Sequence, residues 1–285
     1  MKITETIHAV KHPFRVMVEE GRYVDRFVYS YILLGKKICL IDAGVWATAP
    51  LLLGCLKEIG RSPGEISMVL LTHSHPDHIG GCVAIQKASR APFYAHRGDR
   101  PWIEDVEKQY RERPIPNLFE LIEGPVPVKQ ELKEGDTLTW DEGDKGKTIR
   151  ILETPGHSVG SLSFFFEEEG ALFTGDAVPA AGNLPIYSDF QSSVRSIRKL
   201  KAVPGVKHLF SSWHEPVAGA QIHAIMEEGI RYLEKIDAIV ADLCRVLPPE
   251  TSGEELSLRA LERLGIQTDR VLPMVRTSFE SHRKK

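Results

Sequence analysis

The 285-residue chain has only four cysteines, Cys39, Cys55, Cys82 and Cys244, and no two of them form a C-x-x-C pair. That excludes a disulfide-stapled framework and a cysteine-ligated zinc site, and fits reduced, mostly buried thiols. There is no excess of one charge either. Thirty-six basic residues stand against 39 acidic ones, a net charge of -3. Nothing global therefore draws the chain to nucleic acid, which is disfavoured as a partner. No apolar run has the length needed to span a bilayer, so no membrane partner is expected. The opening segment MKITETIHAV lacks the apolar stretch of a signal peptide, and a cytoplasmic location is the expectation. A hydrophobic content of 42% and a charged content of 26% describe a globular chain with ample material for a core.

The patterning alternates between strands and helices, without an internal repeat. Aromatic and aliphatic runs at 27–34 and 37–41 read as strands around a turn at Gly35, and 66–71 as a buried strand. Helical spacing appears over 46–59 and 77–88. The stretch 97–135 breaks the pattern, mixing charge with Pro101, Pro114, Pro116, Pro125 and Pro127, and reads as an insertion or lid over the scaffold. Strands return at 148–152, 161–166, 171–173 and 208–210, with a helix at 190–200 before the last. One long helical pattern then fills 221–246 and stops at Pro248-Pro249. Two short helical segments (253–264 and 268–282) follow. The division is a catalytic unit over 1–216 and a C-terminal helical appendage over 217–285. The appendage is expected to pack on the core or to join two copies. The terminal run from His282 reads as a solvated tail. The whole predicts an α/β protein with two sheets and helices on their outer faces.

Chemistry concentrates at strand ends. Thr72-His73-Ser74-His75-Pro76-Asp77-His78 follows the strand at 66–71 directly. His73 and His75 are two apart, so an extended backbone turns both to one face. Pro76 disfavours helix for the residue before it and can start one itself, which puts Asp77 and His78 at the junction. Imidazole and carboxylate suit zinc and its divalent neighbours. A lone histidine is more often structural, but this grouping is not a chance arrangement. His157 in Thr154-Pro155-Gly156-His157, Asp176 after Gly175, and His214 after Trp213 each end a further apolar strand. His8, His12, His96, His208 and His223 lie outside every motif and read as structural or surface residues.

The chain resembles the metallo-β-lactamase superfamily, whose H-x-H-x-D-H motif is matched by His73, His75, Asp77 and His78. The later ligands match His157, Asp176 and His214, and Ile41-Asp42-Ala43-Gly44 matches the early aspartate motif. The resemblance implies a four-layer αβ/βα sandwich with two divalent metal ions, zinc first and iron or manganese as alternatives, at one edge between the sheets. It assigns His73, His75 and His157 to one ion and Asp77, His78 and His214 to the other, with Asp176 bridging and Asp42 orienting a ligand histidine. The oxidative flavodiiron branch carries glutamate where His75 stands, and the chain does not match it. A hydroxide held between two ions would attack the substrate, and Asp77 is the candidate to handle the proton. Tyr187 resembles a substrate-contacting tyrosine of the glyoxalase II branch. The implied function is hydrolysis of a small-molecule ester, thioester or lactone. The lactonase branch places a tyrosine soon after the bridging aspartate, where this chain has Ala177, Val178 and Pro179. A nuclease or phosphodiesterase of the same superfamily is the alternative. A non-catalytic binding module is the third class, and the intact ligand set speaks against it.

Overall fold

The computed structural model describes residues 1–141, 147–268 and 270–283. Its first sheet runs in the order β1 (Ile7–Glu19), β2 (Arg22–Leu34), β3 (Ile38–Ile41), β4 (Ile66–Leu70), β5 (Phe93–His96), β6 (Val128–Leu132). The first three strands are antiparallel and the rest parallel. The second sheet contains β7 (Thr137–Asp141), β8 (Lys147–Glu153), β9 (Leu162–Phe166), β10 (Ala171–Gly175), β11 (His208–Ser211) and β12 (Val217–Ala218), again as neighbours in chain order.

Alternation along these strands sorts the apolar residues into layers, because successive side chains point to opposite faces. Cys39 and Ile41 of β3 face Phe164, Phe173 and Phe210 of the second sheet. Ile38 and Leu40 point the other way, onto α1 (Ala49–Glu58), α2 (Pro76–Ile79) and α3 (Cys82–Ser89). After α4 (Arg100–Glu104), α5 (Val106–Glu112) and α6 (Leu118–Leu121), the remaining helices cover the second sheet. These are α7 (Phe190–Lys201), α8 (Ala220–Val246), α9 (Gly253–Arg263) and α10 (Pro273–Glu280), which pack on Phe165, Leu172 and Leu209. The result is the expected four-layer sandwich. No helix among the described residues is long and apolar enough to cross a membrane.

Four departures from the sequence reading matter for the site. First, β2 begins at Arg22 rather than near Phe27, and pairs along its whole length with β1, which had not been expected. The distal part of this hairpin is only partly buried, so its apolar signal is weak. Second, the helix expected over 77–88 is two helices broken at Gly80-Gly81. A Cβ at Gly80 would meet the Leu121 carbonyl and one at Gly81 the Ala43 carbonyl, so the chain passes too close for any side chain. Third, 97–135 is not wholly an insertion, since β6 pairs with β5 as the last strand of the first sheet. Fourth, the helices α8 to α10 are less an appendage than part of the outer layer of the second sheet, in line with the expected packing on the core. Ile222, Met226, Ile230, Leu233, Ile236 and Val240 recur at helical spacing along α8 and are buried. The solvated-tail reading fails at His282, while Lys284 and Lys285 lie outside the described residues. His282 is buried, its Nδ1 lies 2.8 Å from Asp237 Oδ1, and Arg283 donates to the Thr251 carbonyl.

His12, on β1, shows how a histidine outside the motifs serves the fold. It is fully buried, with Nδ1 2.8 Å from Thr48 Oγ1 and Nε2 2.7 Å from Ser30 Oγ. Its ring also fills the space against Gly44, below the turn that carries Asp42. Burial pulls its pKa down to about 4, against the help of the Thr48 contact. The folded protein thus keeps His12 neutral while the unfolded chain protonates near pH 6.5. Stability contributed here is intact above that pH and is lost on acidification. About 3 kcal/mol should go between about pH 6.5 and pH 4. The difference in urea midpoint between wild type and His12→Gln should narrow as pH falls through this window, wild type showing the steeper fall. Parallel curves would overturn the expectation.

Candidate metal centre and substrate cleft

The motif leaves β4 in extended conformation, and His75 (φ -65°, ψ 151°) precedes Pro76, which opens α2. His73 and His75 thereby face the same centre, with ring centroids 4.5 Å apart. Asp77 and His78 come round on the first turn of α2. His157 arrives from the loop after β8 and Asp176 from the end of β10. Gly175, at φ +51°, lets the backbone pass against Thr72, where a Cβ would lie 2.7 Å from Thr72 Oγ1.

Two sets result. His73, His75, His157 and Asp176 each offer one ligand atom within 4.8 Å of the others, and so do Asp77, His78 and Asp176. Asp176 belongs to both, and its two oxygens are divided between them. Oδ2 lies 3.3 Å from His157 Nε2 and 3.8 Å from His73 Nε2, whereas Oδ1 lies 3.2 Å from His78 Nε2. His214 stands outside both sets. Its Nδ1 is 3.1 Å from Ser211 Oγ, and burial lowers its pKa while Glu228 opposes the shift.

The donor set fits divalent ions on an observation internal to the structure. His73 Nε2, His75 Nε2, His78 Nε2 and both Asp176 oxygens are buried and make no hydrogen bond. Orphaned buried polar atoms are costly, and His73 Nε2 and His78 Nε2 lie 3.8 and 3.2 Å from the Asp176 oxygens, which indicates an ion rather than protein partners. His75 turns its other nitrogen to this group, with Nδ1 2.8 Å from His157 Nε2. The other ring nitrogens are oriented to leave these free. His157 Nδ1 donates to the Ile186 carbonyl at 2.7 Å, and His78 Nδ1 donates to Asp42 Oδ2 at 2.7 Å. Asp42 also accepts from Thr72 N (2.8 Å) and Thr72 Oγ1 (2.7 Å), and that hydroxyl oxygen in turn lies 3.0 Å from His73 Nδ1. Asp42 holds this position at φ +59°, a strained conformation for a residue other than glycine.

Charges follow the same division. Burial drives the pKa of His73 and His75 well below the usual histidine range, with neighbouring cationic groups adding to the effect. Burial also lowers that of His157, against the pull of Asp176. These rings are neutral, the form that binds metal. For His78 burial is outweighed by Asp176, Asp42 and Asp77, which raise its pKa well above the ordinary value. Burial, Asp176 and Asp42 together lift Asp77 to about 6, with His78 opposing. His78 and His157 hold Asp176 below the carboxylate range despite its burial.

A second carboxylate supports the loops. Asp99 is fully buried and accepts from Ser74 N (2.7 Å), Gly160 N (2.8 Å) and Ser158 Oγ (2.8 and 2.9 Å to its two oxygens). It thus ties the His73-Ser74-His75 segment to the loop bearing His157. Gln109 Nε2 donates to the Ser74 carbonyl from α5. Asp99 lies inside the supposed insertion and belongs to no motif, so nothing in the sequence singled it out.

In front of His75, Asp77, His157 and Asp176 opens a cleft of about 1180 Å³. One wall is the β1–β2 hairpin, through Phe14, Val16, Val18 and Val24. Ile115 and Leu121 come from the α5–α6 region, Leu184, Ile186 and Trp213 from the second-sheet side, and Leu272, Pro273 and Met274 from the start of α10. Tyr187 is not part of this lining. Its hydroxyl lies 2.8 Å from His282 Nε2 and its backbone N–H donates to Ser278 Oγ, so the ring is committed to packing against the C-terminal helices. The substrate-contact expectation for Tyr187 does not fit this placement. Trp102 and Tyr110 also stay out of the cleft. The Trp102 indole donates to Glu112 beneath Arg113, and Tyr110 packs on Phe119.

A carboxylate set between two histidine-bearing ligand groups at the floor of a cleft is the arrangement of a dinuclear hydrolytic centre. Residues 23–208 match the metallo-beta-lactamase superfamily, and the chain belongs to that superfamily. It is a metal-dependent hydrolase of that group. It is 26% identical to a hydroxyacylglutathione hydrolase of Methylococcus capsulatus, over 75% of this chain and 77% of that protein. To an atrochrysone carboxyl ACP thioesterase of Aspergillus fumigatus it is 29% identical over 66% of its own length, spanning only 39% of the relative. A metallo-beta-lactamase family protein from Thermus thermophilus superposes with a TM-score of 0.74 at 22% identity, covering 98% of this chain and 92% of the other. That likeness speaks for the fold.

Proposed function

We propose that the protein hydrolyses thioesters or esters with an apolar acyl portion. The observation that carries this is the cleft wall, which outside the ligand residues is apolar but for Arg26 and Asn183. An acyl chain gains roughly 0.8 kcal/mol per methylene buried there. A phosphodiester would require several cations along its backbone, and the lining offers a single one, Arg26. The relatives' names, a hydroxyacylglutathione hydrolase and a thioesterase, support acyl transfer to water.

In this reading His73, His75 and His157 hold one ion, Asp77 and His78 the second with His214, and Asp176 lies between. The mix of imidazole and carboxylate suits zinc best, with iron and manganese as alternatives. Divalent ions held there supply Lewis acidity and activated water at neutral pH. Asp42 fixes the His78 ring and, through Thr72, that of His73. Asp77 lines the cleft and is placed to take up or return a proton at the reacting centre. The apolar walls seat the acyl chain and exclude bulk water from the carbonyl.

The test is a panel of octanoyl thioesters, p-nitrophenyl esters, lactones and bis-p-nitrophenyl phosphate, assayed with zinc-, iron- and manganese-loaded protein. Octanoyl thioester or ester should exceed the phosphodiester in kcat/KM by on the order of a hundredfold. Preference for the phosphodiester would sink the reading.

A further inference from the structure

Among the described residues Arg26 is the one lysine or arginine in the cleft lining. It pairs across the hairpin with Phe14, as Val24 pairs with Val16, so these four side chains share the face that forms the cleft wall. The other charged groups of the lining, Asp77 and Asp176, belong to the ligand sets. The guanidinium makes one hydrogen bond, from Nη1 to the carbonyl of its neighbour Asp25 at 3.0 Å, and pairs with no carboxylate among the described residues. Burial lowers its pKa, with no counter-charge opposing the shift.

A guanidinium carries five N–H donors in a planar fork, so four are left over here. Half-buried among apolar side chains, they are poorly served by water and strongly attracted to an oxyanion. Nothing in the hairpin itself needs the charge, since the neighbouring positions on the same face are Phe14, Val16 and Val24.

We infer that Arg26 determines specificity by binding an oxyanionic group, carboxylate or phosphate, on the part of the substrate remote from the scissile carbonyl. The substrate is therefore amphipathic, an apolar spacer with an anionic end, rather than a neutral acyl chain. This rests on the proposed reading for the bond that is cleaved, but not for the anion site.

The test is calorimetric binding of octanoate, octanedioate and 8-phosphonooctanoate to the metal-loaded protein, in wild type, Arg26→Gln and Arg26→Lys. In wild type at least one of the two doubly anionic compounds should bind on the order of ten- to a hundredfold tighter than octanoate. The comparison of those two tells carboxylate from phosphate. Arg26→Gln should bring the ratio close to one, while Arg26→Lys keeps an intermediate preference because it retains charge without the fork. A purely structural Arg26 would leave the ratio unchanged. An unchanged ratio in Arg26→Gln, no preference in wild type, or no binding of any of the three overturns the inference. If the ratio behaves as expected while no thioester or ester is cleaved, the reaction reading falls and the anion site stands.

Discussion

Replacing Asp176 by asparagine is expected to lower kcat/KM by several kcal/mol of transition-state stabilisation, roughly a thousandfold or more. The variant should also fail to retain two equivalents of metal. The expectation comes from how the two oxygens are used. One faces His157 and His73, the other faces His78. An amide keeps the shape but supplies one acceptor, no charge, and an NH2 group aimed at one of the two ligand sets. Fold stability should change far less. What the metal-free protein loses is the attraction of the carboxylate for the His78 and His157 rings at 3.2 and 3.3 Å. Urea midpoints of the chelated proteins should stay close, whereas added zinc should stabilise wild type and leave the variant nearly unaffected. Elemental analysis together with the zinc-dependent shift in midpoint checks this. A variant with two bound ions and a tenth of wild-type activity would contradict the bridging role.

Much of this centre was legible in the sequence because its chemistry is local. The segment from His73 to His78 carries its own geometry. Two-residue spacing turns the first two histidines to one face, and Pro76 turns the chain so that Asp77 and His78 follow. The strand ends bearing His157 and Asp176 were weaker signals singly and gained weight from their regular arrangement. Two sheets with helices outside them followed from the order of strand and helix runs, and the four-layer sandwich from the resemblance. Strand β3 is apolar throughout, and only the structure sends Ile38 and Leu40 to one face and Cys39 and Ile41 to the other. What escaped depends on contacts between distant segments. The β1–β2 hairpin alternates on a half-exposed surface, so its apolar face makes sense only once the cleft below it exists. Strand β6 is preceded by Pro125 and Pro127 and exposes Lys129, Gln130 and Glu131, which hid its pairing with β5. Tyr187 was placed by its distance along the chain from Asp176, a measure blind to α10 packing over it. The structure likewise leaves His214 at a strand end, as read, but outside the two ligand groups.

Asp99 shows the same limit most sharply, and it carries the second large effect. Removing its side chain in Asp99→Ala strands the N–H groups of Ser74 and Gly160 and the Ser158 hydroxyl, all buried. Each stranded donor costs on the order of 1–3 kcal/mol, so a total loss of about 4 kcal/mol is expected, less than the simple sum because the loops can relax. The second consequence is functional. The loop with His157 and the segment with His75 would no longer be tied together, and metal affinity should fall roughly ten- to a hundredfold, the usual effect of losing a partner behind the ligands. Asp99→Asn separates the two consequences. One oxygen can still accept from Gly160 N and Ser158 Oγ, but an NH2 group would then face Ser74 N–H, so its loss in stability should be smaller while the histidine segment still shifts. Ser158→Ala removes only one donor and should lose the least. Urea unfolding and competition with a zinc chelator across the three variants should therefore rank Asp99→Ala, Asp99→Asn and Ser158→Ala in falling order of effect on both measures. If metal affinity stays at the wild-type value in a folded Asp99→Ala protein, Asp99 supports the fold alone and does not position the ligands.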